Sequence, residues 1–350
     1  METYLENKDI DEIKNNRKIH FKFLILTLLP ICVFLFSMTL GRYSLSILDI
    51  LKAIVSKITS SDLDYPQIID TVIFQVRIPR ILVAMIVGCS LSISGAVYQG
   101  MFKNPMVSPD ILGTSAGAGF GATLGILLSF NIIGTQIMAF AFGLIAVFLT
   151  YTISAAVSRG GNIIFVFILA GILIGTVFQS FISLSKYIAD PYDKLPTITF
   201  WLMGSLANIT SEDLFMILIP FVIGIVPIFL VRWNLNTLSF GEEEAKALGI
   251  DTRKLRMIAI ISTTILTASS VSVSGMVGWV GLIVPHIARM LVGPDFKKLI
   301  PATALIGSTY LLLVDNIART ITSVEIPLGI LTSLLGAPFF IYLLYKTRRG

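Results

Sequence analysis

Residues 77–119 decide the fold of this chain, and they read RIPRILVAMIVGCSLSISGAVYQGMFKNPMVSPDILGTSAGAG. Two arginines, Arg77 and Arg80, precede an apolar run over 81–97 that is rich in glycine and serine. A polar break with two prolines covers 99–110, and a glycine-rich apolar segment follows it. Small residues at this density let helices approach closely in lipid, and the prolines end one helix before the next begins. The stretch therefore predicts two membrane helices that can approach neighbouring helices closely, joined by a short connection.

Part of this stretch recurs later in the chain. Ser92-Ile-Ser-Gly95 returns as Ser272-Val-Ser-Gly275, 180 residues further on. Further identities at the same offset pair Pro105 with Pro285, Ala122 with Ala302, and Thr123 with Thr303. Internal repeats are a common way to build membrane transporters. We therefore expect two related halves.

The composition defines the class of protein. Of 350 residues, 55% are hydrophobic and 13% are charged, whereas a soluble domain of this size carries about 25% charged residues. The net charge of +5 is spread over segment ends, which indicates cytoplasmic loops of a membrane protein and no nucleic-acid partner. Cys32 and Cys89 both lie in apolar runs, where cysteine is usually a small packing residue. The chain is predicted to be an all-α polytopic membrane protein.

About ten transmembrane helices are predicted from the apolar runs. Their ranges are 23–40, 77–100, 111–129, 134–156, 163–185, 214–231, 254–275, 277–291, 299–318 and 326–345. The eighth is expected to break around Pro285, and 186–213 is expected to be a wetter connection. Residues 1–22 form a predicted cytoplasmic tail, and 23–350 form one predicted transmembrane domain. Because lysines and arginines concentrate on the side that holds both termini, we expect both termini to be cytoplasmic.

The longest polar segment inside the core covers 234–251. Glu242, Glu243 and Glu244 precede Lys246, and Gly249 is placed to cap the end of a short helix. Such a helix on the cytoplasmic face offers a rigid, protruding contact surface to a partner. A solvated connecting helix explains the same pattern, and the residues alone leave both interpretations open.

Several motifs, taken in order, resemble those of the FecCD/BtuC-type permeases: RIPR, SGAVYQGMFKNPMVSPDILGTSAGA, GEEEAKALG, GWVGLIVPHIARMLVGPD, LLVDNIART and LGAPFFIYLL. The resemblance covers about 41–345. It implies a BtuC-like type II ABC importer fold in the plasma membrane of a prokaryote, with ten helices per subunit. It also implies a second permease subunit, identical or related, two cytoplasmic ATP-binding subunits and an external substrate-binding protein.

The resemblance implies three groups of functional residues. The segment that couples to the ATPase matches at Glu242, Glu243, Glu244, Ala245 and Gly249. External arginines that meet glutamates on the binding protein match at Arg77, Arg80 and Arg319. The fifth and tenth helices line the translocation pathway, which points to Gly171, Gly175, Gln179, Gly329, Thr332 and Ser333.

Alternatives to the docking role remain open at this stage. Arginines at helix ends also anchor helices at lipid headgroups. Asp315 lies four residues before Arg319, so these two side chains can pair along one helix. Arginine forks bind carboxylates in a bidentate manner, which suits docking and internal pairing equally well.

Motifs that are missing from the sequence narrow the function further. There is no GxxxxGK[ST] or HExxH pattern, and we expect no nucleotide cradle, metal site, cofactor or catalytic residue in this chain. His286, beside Pro285, is the one histidine of the core and is expected to pack or hydrogen-bond. An ion-coupled secondary transporter would need acids or histidines deep in the spans, and a membrane enzyme would need a catalytic cluster. We predict an importer permease for an iron-siderophore, with haem and cobalamin as alternatives.

Overall fold

The computed structural model describes residues 2–41, 43, 45–59, 65–157, 163–240 and 242–347. All regular structure in these ranges is helical. The α-helices are α1 Glu2–Thr39, α2 Ile47–Thr59, α3 Ile68–Asp70, α4 Ile78–Met101, α5 Thr114–Leu127, α6 Ile132–Val157, α7 Ile163–Ile188, α8 Lys194–Met203, α9 Ser211–Phe240, α10 Glu242–Ala247, α11 Thr252–Ser274, α12 Val280–Val292, α13 Phe296–Thr320 and α14 Leu328–Thr347. A π-helical segment, Thr71–Arg77, joins α3 to α4, and a 3-10 helix, Pro109–Leu112, precedes α5.

Each of the ten predicted spans coincides with a helix. Among the described residues, seven helices are long and apolar enough to cross a membrane: Ile19–Thr39, Ile68–Met101, Ile132–Val157, Phe165–Ile188, Ser211–Leu238, Thr252–Ser274 and Phe296–Thr320. The shorter helices α5, α12 and α14 account for the other three predicted spans. The predicted all-α fold is confirmed.

Several helix bounds differ from the prediction, and α1 already begins at Glu2, within the predicted tail. The second span begins at Ile68, because α3 and the π-helical segment continue into α4. A further helix, α8, lies inside the stretch expected to be a connection. The helix of the sixth predicted span, α9, extends to Phe240, beyond the apolar run, because Leu235 and Leu238 are buried in a hydrophobic cluster. Tertiary packing thus extends a helix that hydropathy alone would end.

The expected break at Pro285 was wrong, and α12 continues through this residue. Proline has no N–H, so the carbonyl of Gly281, four residues earlier, loses its helical donor. The side-chain amide of Gln99 on α4 reaches this carbonyl at 3.4 Å and the carbonyl of Leu282 at 3.3 Å. Arg289, one turn further along α12, donates to the amide oxygen of Gln99. A side chain from another helix therefore replaces the missing backbone donor.

Helix α4 is the centre of the fold, and α9, α11, α12 and α13 surround it. Its glycines make main-chain contacts. A Cβ added to Gly95 would lie 1.7 Å from the carbonyl oxygen of Gly281, and one added to Gly88 would lie 2.2 Å from that of Gly307. Such contacts explain why glycine is needed there, and they confirm the close packing that the sequence predicted.

The helix order supports two halves, but not at the offset read from the sequence. Helices α12, α13 and α14 begin 166, 164 and 165 residues after α5, α6 and α7. At the 180-residue offset, Gly95 lies within α4 whereas Gly275 lies beyond the end of α11. The short identities therefore pair positions that are not equivalent, because glycine and serine recur in any tightly packed membrane helix.

Candidate functional site

Two adjoining cavities lie beside α7 and α14. The first, here the α7 cavity, has a volume of about 470 Å³ and is lined by Asp110, Ile111, Gly113, Ser115, Ala116, Gly171, Ile172, Gly175, Thr176, Gln179, Met276, Val277 and Gly278. The second, the α14 cavity, has a volume of about 500 Å³ and is lined by Leu202, Met203, Met276, Gly278, Gly329, Ile330, Ser333 and Leu334. Met276 and Gly278 belong to both walls, so the two cavities adjoin there.

Five of the six residues predicted to line a pathway line one of these cavities. Gly171, Gly175 and Gln179 face the α7 cavity, and Gly329 and Ser333 face the α14 cavity. The sixth, Thr332, has a fully buried side chain, and its hydroxyl donates to the carbonyl of Gly329 at 3.3 Å.

The glycines of α7 bring the 3-10 helix against this helix. A Cβ on Gly171 would lie 2.3 Å from the carbonyl oxygen of Ile111, and Gly113 adopts a φ of +81° as it approaches Gly175. Gly171 and Gly175 have the GxxxG spacing that is typical of close helix contacts in membranes, and here the contact is with this short connecting element. Its effect is to place Asp110 and Ile111 in the wall of the α7 cavity.

Asp110 was not singled out from the sequence, although an acid beside a predicted span is a usable signal. Its carboxylate accepts a hydrogen bond from the hydroxyl of Ser115. Asp110 lies in the connection between α4 and α5. The side chain is exposed to the cavity; neighbouring protein atoms still reduce its hydration and raise the pKa of the carboxyl above the ordinary value, and the Ser115 hydroxyl acts in the opposite direction.

The wall between the cavities is the linker from Gly275 to Trp279, which joins α11 to α12. Gly275 has a φ of +69°, and Trp279, a bulky residue, has a φ of +68°. The left-handed region is unusual for such a side chain. The indole packs against Gly336 and lies 6.4 Å, between ring centroids, from Phe340. Contacts with α14 therefore hold a strained linker in place.

A buried charge cluster joins α4 to α13. One guanidinium nitrogen of Arg80 lies 2.8 Å from Asp315 and 2.8 Å from Glu325. A second nitrogen of Arg80 donates to Glu325 at 2.9 Å. Arg80 is 7% exposed and Asp315 is fully buried. Of the side chains of Arg80, Asp315 and Glu325, that of Glu325 is the most exposed to solvent.

The other two candidate docking arginines are also buried and engaged. Arg77 donates to the carbonyls of Met38 and Tyr43. Arg319 donates to the carbonyl of Ser37 at 2.8 Å, and its Nε lies 3.7 Å from Asp315. The Asp315–Arg319 pair that the spacing allowed is thus present. Contact between these arginines and a binding protein stays a prediction.

The polar segment after α9 forms the short helix α10. Gly249 has a φ of +76°. Its N–H donates to the backbone carbonyl of Lys246, and the N–H of Ile250 donates to the backbone carbonyl of Ala245 at 3.0 Å. The predicted glycine cap is therefore confirmed. Ala245 is buried, whereas Glu244 is exposed. The side chains of Glu242 and Glu243, and Gly241 itself, lie outside the described residues.

Leu248, which the sequence analysis did not select, projects from the end of α10 with 66% of its surface exposed. A cavity of about 570 Å³ lies behind the helix, between Lys246 and α11, and includes Arg253 and Arg256 in its wall. This helix therefore presents an exposed apolar residue above a recess. Within the described residues, no group of three or more His, Cys, Asp or Glu side chains is placed to hold a metal ion.

Apolar helices around a central span, glycine-lined cavities and a capped polar helix between two spans agree with the ABC importer permease that the sequence motifs predicted. The chain belongs to the FecCD transport family, which matches residues 27–346. It is a membrane-embedded transport subunit and not an enzyme; in such importers, separate subunits hydrolyse ATP. A permease of this class works with another permease, ATPases and a binding protein.

Known relatives carry different cargoes. The chain is 44% identical over 327 residues to the molybdate import permease of Haemophilus influenzae, covering 93% of this chain and 95% of that one. It is 37% identical over 277 residues to a probable iron chelatin permease of Helicobacter pylori, covering 79% and 83%. A solved inward-facing metal-chelate type ABC transporter superposes with a TM-score of 0.83 at 41% identity, covering 93% and 99%.

Proposed function

We propose that this subunit translocates an iron-siderophore, or a chelate of similar size, by alternating access driven by its ATPase partners. The observation that carries the proposal is the pair of adjoining cavities, about 470 and 500 Å³. Each volume falls in the range that takes a multi-ring organic ligand. The iron chelatin relative supports this cargo class.

A second candidate cargo is molybdate, because the Haemophilus influenzae relative imports it. A small oxyanion is usually held by arginine, lysine or converging N–H groups. Among the described residues that line the two cavities, Asp110 is the one ionisable side chain. This lining favours the chelate over the oxyanion.

Uptake into proteoliposomes tests the proposal. The complete importer, with its ATPase and binding protein, is supplied with radiolabelled ferric trihydroxamate, cyanocobalamin or molybdate. ATP-dependent uptake of the ferric chelate is expected, and an importer with a hydrolysis-deficient ATPase subunit is the control. Uptake of molybdate alone would overturn the iron assignment.

We infer that α10 docks on the ATPase and transmits its movement to the spans. The exposed Glu244 and Leu248 offer a polar and an apolar contact, while buried Ala245 fixes the helix to the rest of the subunit. Gly249 ends the helix, and nothing lies within 4 Å of a Cβ placed there. A substitution at Gly249 therefore acts through backbone conformation and not through a clash.

Matched substitutions at Gly249 test this coupling role. Gly249→Val should reduce transport strongly, because a β-branched residue in the left-handed region costs about 1–2 kcal/mol. Gly249→Asn should retain most transport, because asparagine tolerates that region. Both variants should insert and purify normally. Equal uptake by the two variants would contradict a coupling role that depends on this cap.

We also propose that the binding protein docks through the charge cluster on the outer face. Arg80 already holds Glu325, so an acid of the binding protein would have to exchange with Glu325. Glu325→Gln should then strengthen docking, and Lys194→Glu, outside the cluster, is the control. The measurement is binding-protein affinity as a function of salt, since exposed charges are screened over about 10 Å at 0.1 M. Unchanged affinity would leave Arg77, Arg80 and Arg319 with internal roles alone.

A further inference from the structure

Asp110 occupies an unusual position for an acid in a membrane subunit. The 3-10 helix Pro109–Leu112 carries it into the wall of the α7 cavity, which Thr176 and Gln179 also line. Pro109 packs beneath it against Gly281, where an added Cβ would lie 2.5 Å from the proline ring. The carboxylate is therefore mounted on a rigid element and is not part of a loose loop.

Within the part of the chain that the structure describes, Asp110 has no ion-pair partner. Its polar contact is with the Ser115 hydroxyl, which also lines the cavity. Asp315, which is buried beside α4, is instead paired with Arg80. The side chain of Asp110 is exposed on the surface of the cavity, and acids on the pathways of membrane transporters usually act on the transported species.

We propose that Asp110 is a specificity-determining contact for cargo, and that it selects chelates presenting cationic or hydrogen-bond-donating groups while disfavouring oxyanions. This proposal deepens the chelate assignment and rests on it. Thr176 and Gln179 add neutral hydrogen-bonding groups to the same wall. A cationic or donor group on the cargo would restore to the carboxylate the partner that the protein does not supply.

A structural role is the competing explanation, because Asp110 lies just before α5 and bonds to Ser115. Asparagine at this position keeps the shape and an oxygen acceptor for that hydroxyl. Asp110→Asn therefore removes charge while leaving the local hydrogen bond possible. Asp193→Asn, at an acid with 76% of its side chain exposed near α8, is the matched control.

The experiment measures uptake of three probes that differ in charge by the complete importer in proteoliposomes. The probes are a cationic ferric trihydroxamate, neutral cyanocobalamin and dianionic molybdate. With the native subunit, the cationic probe should be carried best and molybdate least. Asp110→Asn should lower uptake of the cationic probe about tenfold, while Asp193→Asn should not. The melting temperature should stay unchanged in both variants, and Asp193→Asn should also keep the native basal ATPase rate.

The outcomes separate this inference from the proposed function. If the ferric probe is carried and Asp110→Asn changes nothing, the specificity role is overturned and the iron assignment stands. If cobalamin is the cargo and its uptake falls in Asp110→Asn, the iron assignment fails and the specificity role holds. Uptake of molybdate alone, or of none of the three probes, overturns both. A fall in melting temperature that accounts for the lost uptake also overturns the specificity role.

Discussion

Helices α4 and α7 are similarly apolar and of similar length, yet they occupy opposite environments. Of the most apolar eighteen residues in each span, 83% are buried for the span that contains α4 and 28% for that of α7. The buried span carries a run of small residues at Gly88, Ser90, Ser92, Ser94 and Gly95, whereas α7 exposes large side chains such as Leu173 and Leu184. Side-chain size, more than hydropathy, therefore distinguishes the central span from one that faces lipid or another subunit.

The largest expected effect comes from breaking the ion cluster at the start of α4. Arg80→Ala would remove the 2.8 Å partner of buried Asp315 and leave it the longer, 3.7 Å contact with Arg319, so we expect a loss of about 3–5 kcal/mol in unfolding free energy. The exposed Asp193–Lys194 pair after α7, separated by 3.9 Å, should contribute about 0–1 kcal/mol. Reversible unfolding in mixed micelles of Arg80→Ala and Lys194→Ala measures both. Equal losses would mean that burial does not set the contribution of these pairs.

Alanine in place of a glycine sharpens the comparison of packing. Gly95→Ala places a methyl group 1.7 Å from a backbone carbonyl oxygen, so we expect a loss of about 3 kcal/mol. Gly175→Ala on α7 meets nothing nearer than 3.7 Å, and alanine should stabilise that helix by about 0.5–1 kcal/mol. Melting temperatures of the two variants in detergent report the difference. Destabilisation of both by the same amount would contradict the contrast.

A smaller effect is expected from a glutamine on each helix. Gln99→Leu removes the donor to the carbonyl freed by Pro285 and the acceptor for Arg289, so a loss of about 1–3 kcal/mol is expected. Gln179→Leu, at an exposed position on α7, should change stability by less than about 0.5 kcal/mol. Circular dichroism melts of the purified variants give both values, and a neutral Gln99→Leu would remove this account of the unbroken α12.

Local features were predictable from the sequence, and features that depend on distant partners were not. The ten apolar helices follow from hydropathy, and the cap at Gly249 follows from glycine alone. The continuity of α12 could not be predicted, because it depends on Gln99 arriving from another helix. The burial of Arg77, Arg80 and Arg319 likewise depends on α1, α13 and the segment holding Glu325, which are remote in sequence.

Part of the candidate pathway was predicted from the sequence, and the part that depends on distant contacts was not. The family resemblance pointed to α7 and α14, and five of the six residues chosen there line a cavity. Asp110 was missed because nothing in its local pattern says that the 3-10 helix folds back against α7. The true spacing of the two halves was missed because short glycine and serine identities carry little positional information.

Because of the linker at 275–279, the width of the opening between the two cavities does not depend on the side chains that set the preference for cargo. The wall that both cavities share includes Gly278, which has no side chain. Main-chain atoms therefore bound the opening between the two cavities at this residue. Main-chain position changes little when neighbouring side chains are replaced. The width of the opening and its chemical preference can therefore evolve independently. Selection of this subunit for a new cargo of the same size should collect substitutions around Asp110 and leave the linker untouched.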